Sequence, residues 1–387
     1  MLVLGGGIAG VAAAIAFRKK GFEVELVSER DYIFIYPIAI WIPVGTTHFN
    51  DVALPLKKIA RRYRFKLTID RVKALDPTTG SIMLEKEGIR RNLGLVVVAL
   101  GADKVKHEGI ENTLSICGAP DQSLQLKEKI DTLIQQGHGR ITFGFGGNPK
   151  DPSGVRGGPA FELFFNLHHR LKKLGIRERF EMTFFAPMSA PGAKMGEKTL
   201  KKLDTMFKAR NLRQHYGKKI TRFEMDGIIF EDNSRLPGDI IMFIPASTGH
   251  SVITQSSLPL NESGFIQIDN YCRVDGLKGW YAIGDAAALK GPDWKAKQGH
   301  IAELMADCAA NNAAIEHLHL PGNLMGYQEH LNILCVMDTG DGAGFIFRND
   351  TKQMMIPMPV FGHWLKKGWG LYYKLTKTGR IPRIPGI

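Results

Sequence analysis

Residues 2–10 restrict what this chain can fold into more than any other segment. Leu2-Val3-Leu4 is a short apolar run of strand type, and Gly5-Gly6-Gly7-Ile8-Ala9-Gly10 follows at once. VAAAIAFRKK then reads as a helix with small residues on the face towards the strand. Strand, Gly-x-Gly-x-x-Gly and helix open a βαβ unit built to hold a dinucleotide. The glycines supply a tight turn, close backbone approach to a pyrophosphate, and close packing of helix on strand. The helix start, with Ile8 and Ala9, faces the anion. Phe22–Val27 reads as the second strand. Glu29, with Arg30 next to it, stands about twenty residues past the turn, placed to accept hydrogen bonds from a ribose diol.

Two further segments extend the same site. Trp280-Tyr281-Ala282-Ile283-Gly284-Asp285 is a strand ending in Gly-Asp before a helix, which sets a carboxylate and free N–H groups beside a second part of the ligand. Val96–Leu100 is another apolar strand, closed by Gly101. In this order the three motifs resemble the two-dinucleotide-binding-domain flavoproteins. There the Gly-Asp aspartate holds the ribityl chain and pyrophosphate of FAD, and the strand at Ala99–Gly101 returns the chain from the FAD domain. The resemblance implies an α/β fold of two Rossmann-like domains with a C-terminal membrane-facing amphipathic region. Residues 1–105 and 240–310 would bind FAD, 106–239 would form the second domain, and 311–387 would cover the flavin and dock on a membrane.

In relatives that use NADH, a second Gly-x-Gly-x-x-Gly lies mid-chain. Here Arg140–Gly147 gives strand and glycines, but Asn148-Pro149-Lys150-Asp151-Pro152 intervenes and a helix is expected only near Pro159. Proline removes N–H donors and opposes a helical start, so a pyrophosphate lacks its anion site. NADH is therefore not the expected donor.

Cys117, Cys272, Cys308 and Cys335 are too few and too scattered for a disulfide framework, and no CxxC or zinc spacing occurs, so no metal is expected. Cys272 and Cys308 read as small buried hydrophobes. With the FAD motifs, the broken second site and the tail, the chain resembles the sulfide:quinone oxidoreductases, cousins of flavocytochrome c sulfide dehydrogenase. Cys335 matches their Cys-x-x-x-x-Gly-Asp cysteine beside the flavin, and Cys117 their earlier cysteine. Lys297 and Gly299 match a segment at the flavin pyrimidine, and Pro37 a proline packed on the ring. The FAD contacts so implied add Val72, and Glu162 joins Cys335 and Cys117 as a catalytic candidate, with His300 and Glu303 in proton traffic. Phe345 and Phe347 stand as quinone-stacking candidates. One departure is that Ser153–Glu162 carries no cysteine where the family has a middle redox partner, so either Cys335 acts alone or with Cys117, or the substrate is not sulfide. Asp121 also replaces a histidine that some relatives carry. The function implied is FAD-dependent oxidation of sulfide, or a related sulfur species, with reduction of a membrane quinone. A type II NADH:quinone oxidoreductase, or a flavoprotein kept for electron transfer, are the alternatives.

The net charge of +13 suits an anionic partner, and without a nucleic-acid-binding motif the basic tail points to a lipid bilayer surface. On a helical wheel, Phe361, Trp364, Leu365, Trp369, Tyr372 and Leu375 share one face, with His363, Lys366, Lys367, Lys374 and Lys377 largely opposite. That pattern predicts an interfacial helix. Pro357, Pro359 and the Ile381–Pro385 stretch are expected to flank it as extended linkers. No run is long enough to span a bilayer and no leader is read at the start. The expected location is peripheral and monotopic, on the cytoplasmic face, with a homo-oligomer left open.

Overall fold

The computed structural model describes residues 1–384; Pro385, expected to be part of a linker, lies outside the described residues. Leu2–Leu4 is the centre of a five-stranded parallel sheet. Glu25–Ser28 and Lys66–Ile69 lie to one side, Val96–Val98 and Trp280–Ala282 to the other. All three residues of Leu2–Leu4 and of Val96–Val98 are buried, as expected of strands covered on both faces. One covering layer is a pair of helices, Ile8–Lys19 and Gly299–Leu318. Their buried faces are rich in alanine (Ala12, Ala13 and Ala14 on one, Ala306, Ala309, Ala310 and Ala313 on the other), so the two backbones pack closely.

The second parallel sheet has the order Arg213–Tyr216, Phe180–Ala186, Gly139–Phe145, Ile240–Ile244. Its core is aromatic: Phe161 stacks on Phe184 at 4.4 Å between ring centroids, with Phe143, Phe164, Phe165 and Phe207 around them. Ile240–Ile244 was expected to begin the return to the first domain. It instead pairs along its length with Gly139–Phe145, because five consecutive buried apolar residues are satisfied only in the middle of a sheet or at a covered edge. The chain reaches the first sheet again at Trp280.

A three-stranded antiparallel sheet, Ile333–Asp338, Gly342–Arg348 and Gln353–Pro359, carries the C-terminal region. Pro357 and Pro359 are not linkers: they sit in its last strand, opposite Gly344 and Gly342. That strand has one partner only, and an edge tolerates residues without an N–H. The helix Phe361–Lys377 follows directly.

Two lysines of the basic side turn inward, although water was expected to receive them. Lys366 (6% exposed) and Lys377 (3%) point into the protein, whereas Phe361 (66%) and Trp364 (63%) lie outside. Two buried acids, Glu162 and Glu303, receive the lysines and so decide which face packs.

Candidate functional site

The opening turn adopts the geometry its glycines demand. Gly5 has φ +110°, and a Cβ there would lie 2.3 Å from the Ala99 carbonyl oxygen. A Cβ on Gly10 would lie 1.8 Å from the Gly5 oxygen, while nothing stands within 4 Å of one on Gly7. Gly5 and Gly10 are thus closed by packing and Gly7 is open to the cavity. Gly284, at φ +65°, brings the Gly-Asp turn against Ala9, 2.7 Å from a built Cβ. Both ligand-facing motifs are therefore locked to each other around one space.

That space is a cavity of about 2260 Å³. Single ligand pockets are usually about 300–1,000 Å³, so it has room for more than one molecule. Of the residues expected at the cofactor, Gly5, Gly7, Ile8, Ala9, Glu29, Arg30, Pro37, Val72, Ala99, Gly101, Asp285, Lys297 and Gly299 line it. Gly10 and Gly284 stand behind the lining, where their role is packing. Glu29, at the end of the second strand, pairs with Arg71 at 3.3 Å and is half exposed.

Arg156 and Lys104, which the sequence did not announce, join Lys297 in a cationic cluster on the cavity wall. Arg156 pairs with Asp285, and Lys297 Nζ donates to the Asp285 carbonyl oxygen at 2.7 Å. Burial works against charge on Asp285, but Arg156, Lys297 and Lys104 outweigh it and hold its carboxyl below the usual range. Burial brings Lys297 down to about 7 and lowers Lys104 as well. The Arg156 Nε finds no partner.

All four cysteines are free thiols. Cys272 and Cys308 are buried away from the cavity, whereas Cys117 and Cys335 line it. Burial raises the Cys117 thiol, with Lys104 and Arg156 pulling the other way. Burial also pushes Cys335 up to about 11.

Cys335 is paired with Ile346 across the hairpin, while Phe345 and Phe347 oppose Val336 and Leu334. Successive side chains of a strand alternate between its faces. The thiol and the two phenyl rings therefore border the cavity from opposite faces of one sheet. On the tail-helix wall, Glu162 (4% exposed) pairs with Lys366, whose ammonium burial brings down to about 7. The backbone N–H of Asp338 donates to the same carboxylate at 3.3 Å. Asp338, fully buried, accepts from Trp41 Nε1 at 2.6 Å and lies 3.0 Å from His363 Nδ1.

The segment between the second glycines and their helix is fastened. Asn148 donates to the Ser247 oxygen at 3.0 Å, Asn261 donates to Asp151 at 3.0 Å, and the helix begins only at Gly158.

Two Rossmann-like halves, a Gly-rich turn locked to a Gly-Asp turn, and one elongated cavity define a class: the chain is an FAD-binding oxidoreductase of the two-dinucleotide-domain kind. The residues present fit that cofactor, with Gly7 open to the pyrophosphate and Glu29 and Asp285 at hand for the sugar hydroxyls. The chain is a homologue of the sulfide-quinone reductase of Aquifex aeolicus (strain VF5), 26% identical over an alignment of 396 positions that covers 96% of this chain and 90% of that protein. The Pyridine nucleotide-disulphide oxidoreductase family model matches residues 1–139. The X-ray structure of the sulfide:quinone oxidoreductase from Aquifex aeolicus superposes with a TM-score of 0.85 at 21% identity, covering 98% of this chain and 91% of that one. NDH2 from Plasmodium falciparum in complex with NADH has a TM-score of 0.76 at 12% identity, over 100% and 99% of the two chains.

Proposed function

We propose that the protein oxidises sulfide, or a related sulfur species, and passes the electrons through FAD to a membrane quinone. The observation that carries this reading is that the Cys335 thiol, Phe345 and Phe347 border one cavity with the FAD-binding turns, the thiol and the two rings on opposite faces of the C-terminal sheet. That arrangement offers separate faces to sulfur and to quinone. Homology to a sulfide-quinone reductase across nearly the whole chain supports it.

On the sulfur side, the Cys335 thiolate and hydrosulfide together lose two electrons and one proton and form a Cys335 persulfide. A second sulfur nucleophile then takes the outer sulfur and frees the thiolate. Arg156, Lys104 and Lys297 favour anionic sulfur in the cavity, and Cys117 is the second thiol within it. Bound FAD supplies the two-electron carrier between the two sides. On the quinone side, Phe345 and Phe347 offer apolar walls, and Lys366 beside Glu162 offers a proton to a quinone oxygen.

The protein reaches its quinone by lying on the bilayer. Among the described residues no helix is long and apolar enough to cross a membrane. The tail helix instead exposes Phe361, Trp364, Leu365 and Leu371. The helix Leu56–Tyr63 adjoins it through Tyr63 Oη donating to the Thr376 oxygen at 3.0 Å. Its exposed Lys57, Lys58, Arg61 and Arg62 suit an anionic leaflet such as the cytoplasmic one.

Anaerobic mixing with sulfide, and separately with NADH, tests the reading through the flavin absorbance. Sulfide is expected to bleach it, quinone to restore it, and Cys335→Ser to abolish the response. Bleaching by NADH and not by sulfide rejects the reading, as does bleaching by sulfide that survives in Cys335→Ser.

A further inference from the structure

The segment that carries Arg156 is held tightly on both sides of it. A Cβ on Gly154 would lie 2.8 Å from the Ser247 carbonyl oxygen, and one on Gly157 would lie 2.6 Å from the Phe145 ring. The Lys297 backbone N–H donates to the Ser153 oxygen at 3.3 Å, which ties this segment to the one that brings Lys297. From there the Arg156 guanidinium reaches Asp285, 129 residues further on. Both side chains line the cavity and are 26% and 28% exposed, so the pair borders open space rather than core. Cys117 and Tyr36 are close enough to reinforce the charge on Arg156, and Tyr36 Oη donates to the Gly118 oxygen at 3.0 Å. One guanidinium thus stands where the Gly-Asp turn, the Pro37 segment and the Cys117 segment converge. All three were expected at the cofactor.

The cations around this point differ in kind. Burial brings Lys297 down to about 7 and lowers Lys104, so both can shed a proton. An arginine keeps its charge at any working pH. Asp285 strengthens that charge further. Three cations here face two carboxylates, Asp285 and Asp151, and Asp151 is already engaged by Ser153 and by Asn261. Asp285 meets only part of the Arg156 fork, whose Nε has no partner.

We propose that Arg156 is the fixed cation that stabilises reduced FAD, in the segment where the resembling family carries its middle redox cysteine. The inference rests on FAD binding and not on the choice of sulfide or quinone. Two electrons and one proton leave the flavin ring with one negative charge, and a second proton makes it neutral. A permanent cation favours the singly protonated anion, so the ring accepts electrons more readily and takes the second proton less readily. Lys297 and Lys104 lend the same help only while they hold their protons. Where the family places a thiol that shares electrons with its partner cysteine, this chain places a charge that makes the flavin itself the stronger acceptor.

Arg156→Gln keeps a donor for Asp285 and removes the charge. Holoenzyme is equilibrated anaerobically with dithionite and a reference dye, and the midpoint potential of bound FAD is read from mildly acid to alkaline pH. The variant is expected to favour reduced FAD about tenfold less, a potential about 30 mV lower for a two-electron couple. At neutral pH the wild-type potential should fall by about 30 mV per pH unit, one proton for two electrons, and that of the variant by about twice as much. A change of packing alone would not alter that slope. Arg156→Lys should match the wild type at mildly acid pH and drop towards the glutamine variant as pH rises, because a lysine there can lose its proton as Lys297 does. A glutamine variant with the wild-type potential and slope overturns the proposal. If that variant comes without FAD, the lysine variant decides alone, and a potential below wild type even at mildly acid pH overturns the proposal.

Discussion

Replacing Lys366 by methionine tests the inward charge of the tail helix directly. The substitution keeps the length of the side chain and removes the ammonium, leaving Glu162 4% exposed with only the Asp338 N–H at 3.3 Å on its carboxylate. Breaking a buried ion pair on one side costs about 3–5 kcal/mol. Unfolding entropy of about 2.1 cal/mol/K per residue gives about 0.8 kcal/mol/K for a chain of this size. The melting temperature should therefore fall by about 5 °C, measured by circular dichroism at neutral pH with saturating FAD. Glu162→Gln behaves differently. It leaves an amine that burial has brought to about 7, which can shed its proton. A base whose folded pKa lies below its unfolded value makes the unfolded state bind more protons between the two. Stability of that variant should then rise with pH from about 7 towards about 10.4, the ordinary lysine value. Combining the two changes should recover most of the loss. A Lys366→Met protein that melts within a degree of the wild type, or a double variant worse than either single one, refutes the reasoning.

Gly10→Ala should yield protein purified without FAD, read from the ratio of flavin to protein absorbance, because its Cβ would meet the Gly5 oxygen at 1.8 Å. Cys335, which burial pushes up to about 11, should be alkylated about tenfold faster per pH unit through the neutral and mildly alkaline range, as its thiolate fraction grows. Mass spectrometry of Cys335 checks this, and a rate flat with pH counts against that environment. Trp364→Asp with Leu371→Asp should cut sedimentation with anionic lipid vesicles at least tenfold while leaving thermal stability within about 0.5 kcal/mol, since both side chains are exposed.

What could be read in advance is what is local in sequence. Gly5, Gly7 and Gly10 lie within one turn, and Gly284-Asp285 ends a single strand, so their chemistry is written in neighbouring letters. The inward face of the tail could not be read that way. Its wheel shows one aromatic and one basic side, and water is the default for lysine. Only Glu162 and Glu303, 204 and 74 residues earlier in the chain, bury Lys366 and Lys377. Pro357 and Pro359 misled by propensity, because nothing local reveals that their strand lies at an edge. Ile240–Ile244 reads equally well as a buried strand of either sheet, and only the pairing with Gly139–Phe145 assigns it.

The inward lysines also determine what kind of attachment the tail can be. An anchor that merely tethers an enzyme can be trimmed away to give a working soluble form. Here the same seventeen residues that expose aromatics also line the cavity and neutralise two acids on its wall. Lifting this helix off the body would open the cavity to water and part Glu162 and Glu303 from their lysines. Under the proposed reading, seating on the bilayer and sealing the cavity would be one mechanical act, and removing residues 361–384 would unmake the enzyme rather than release it.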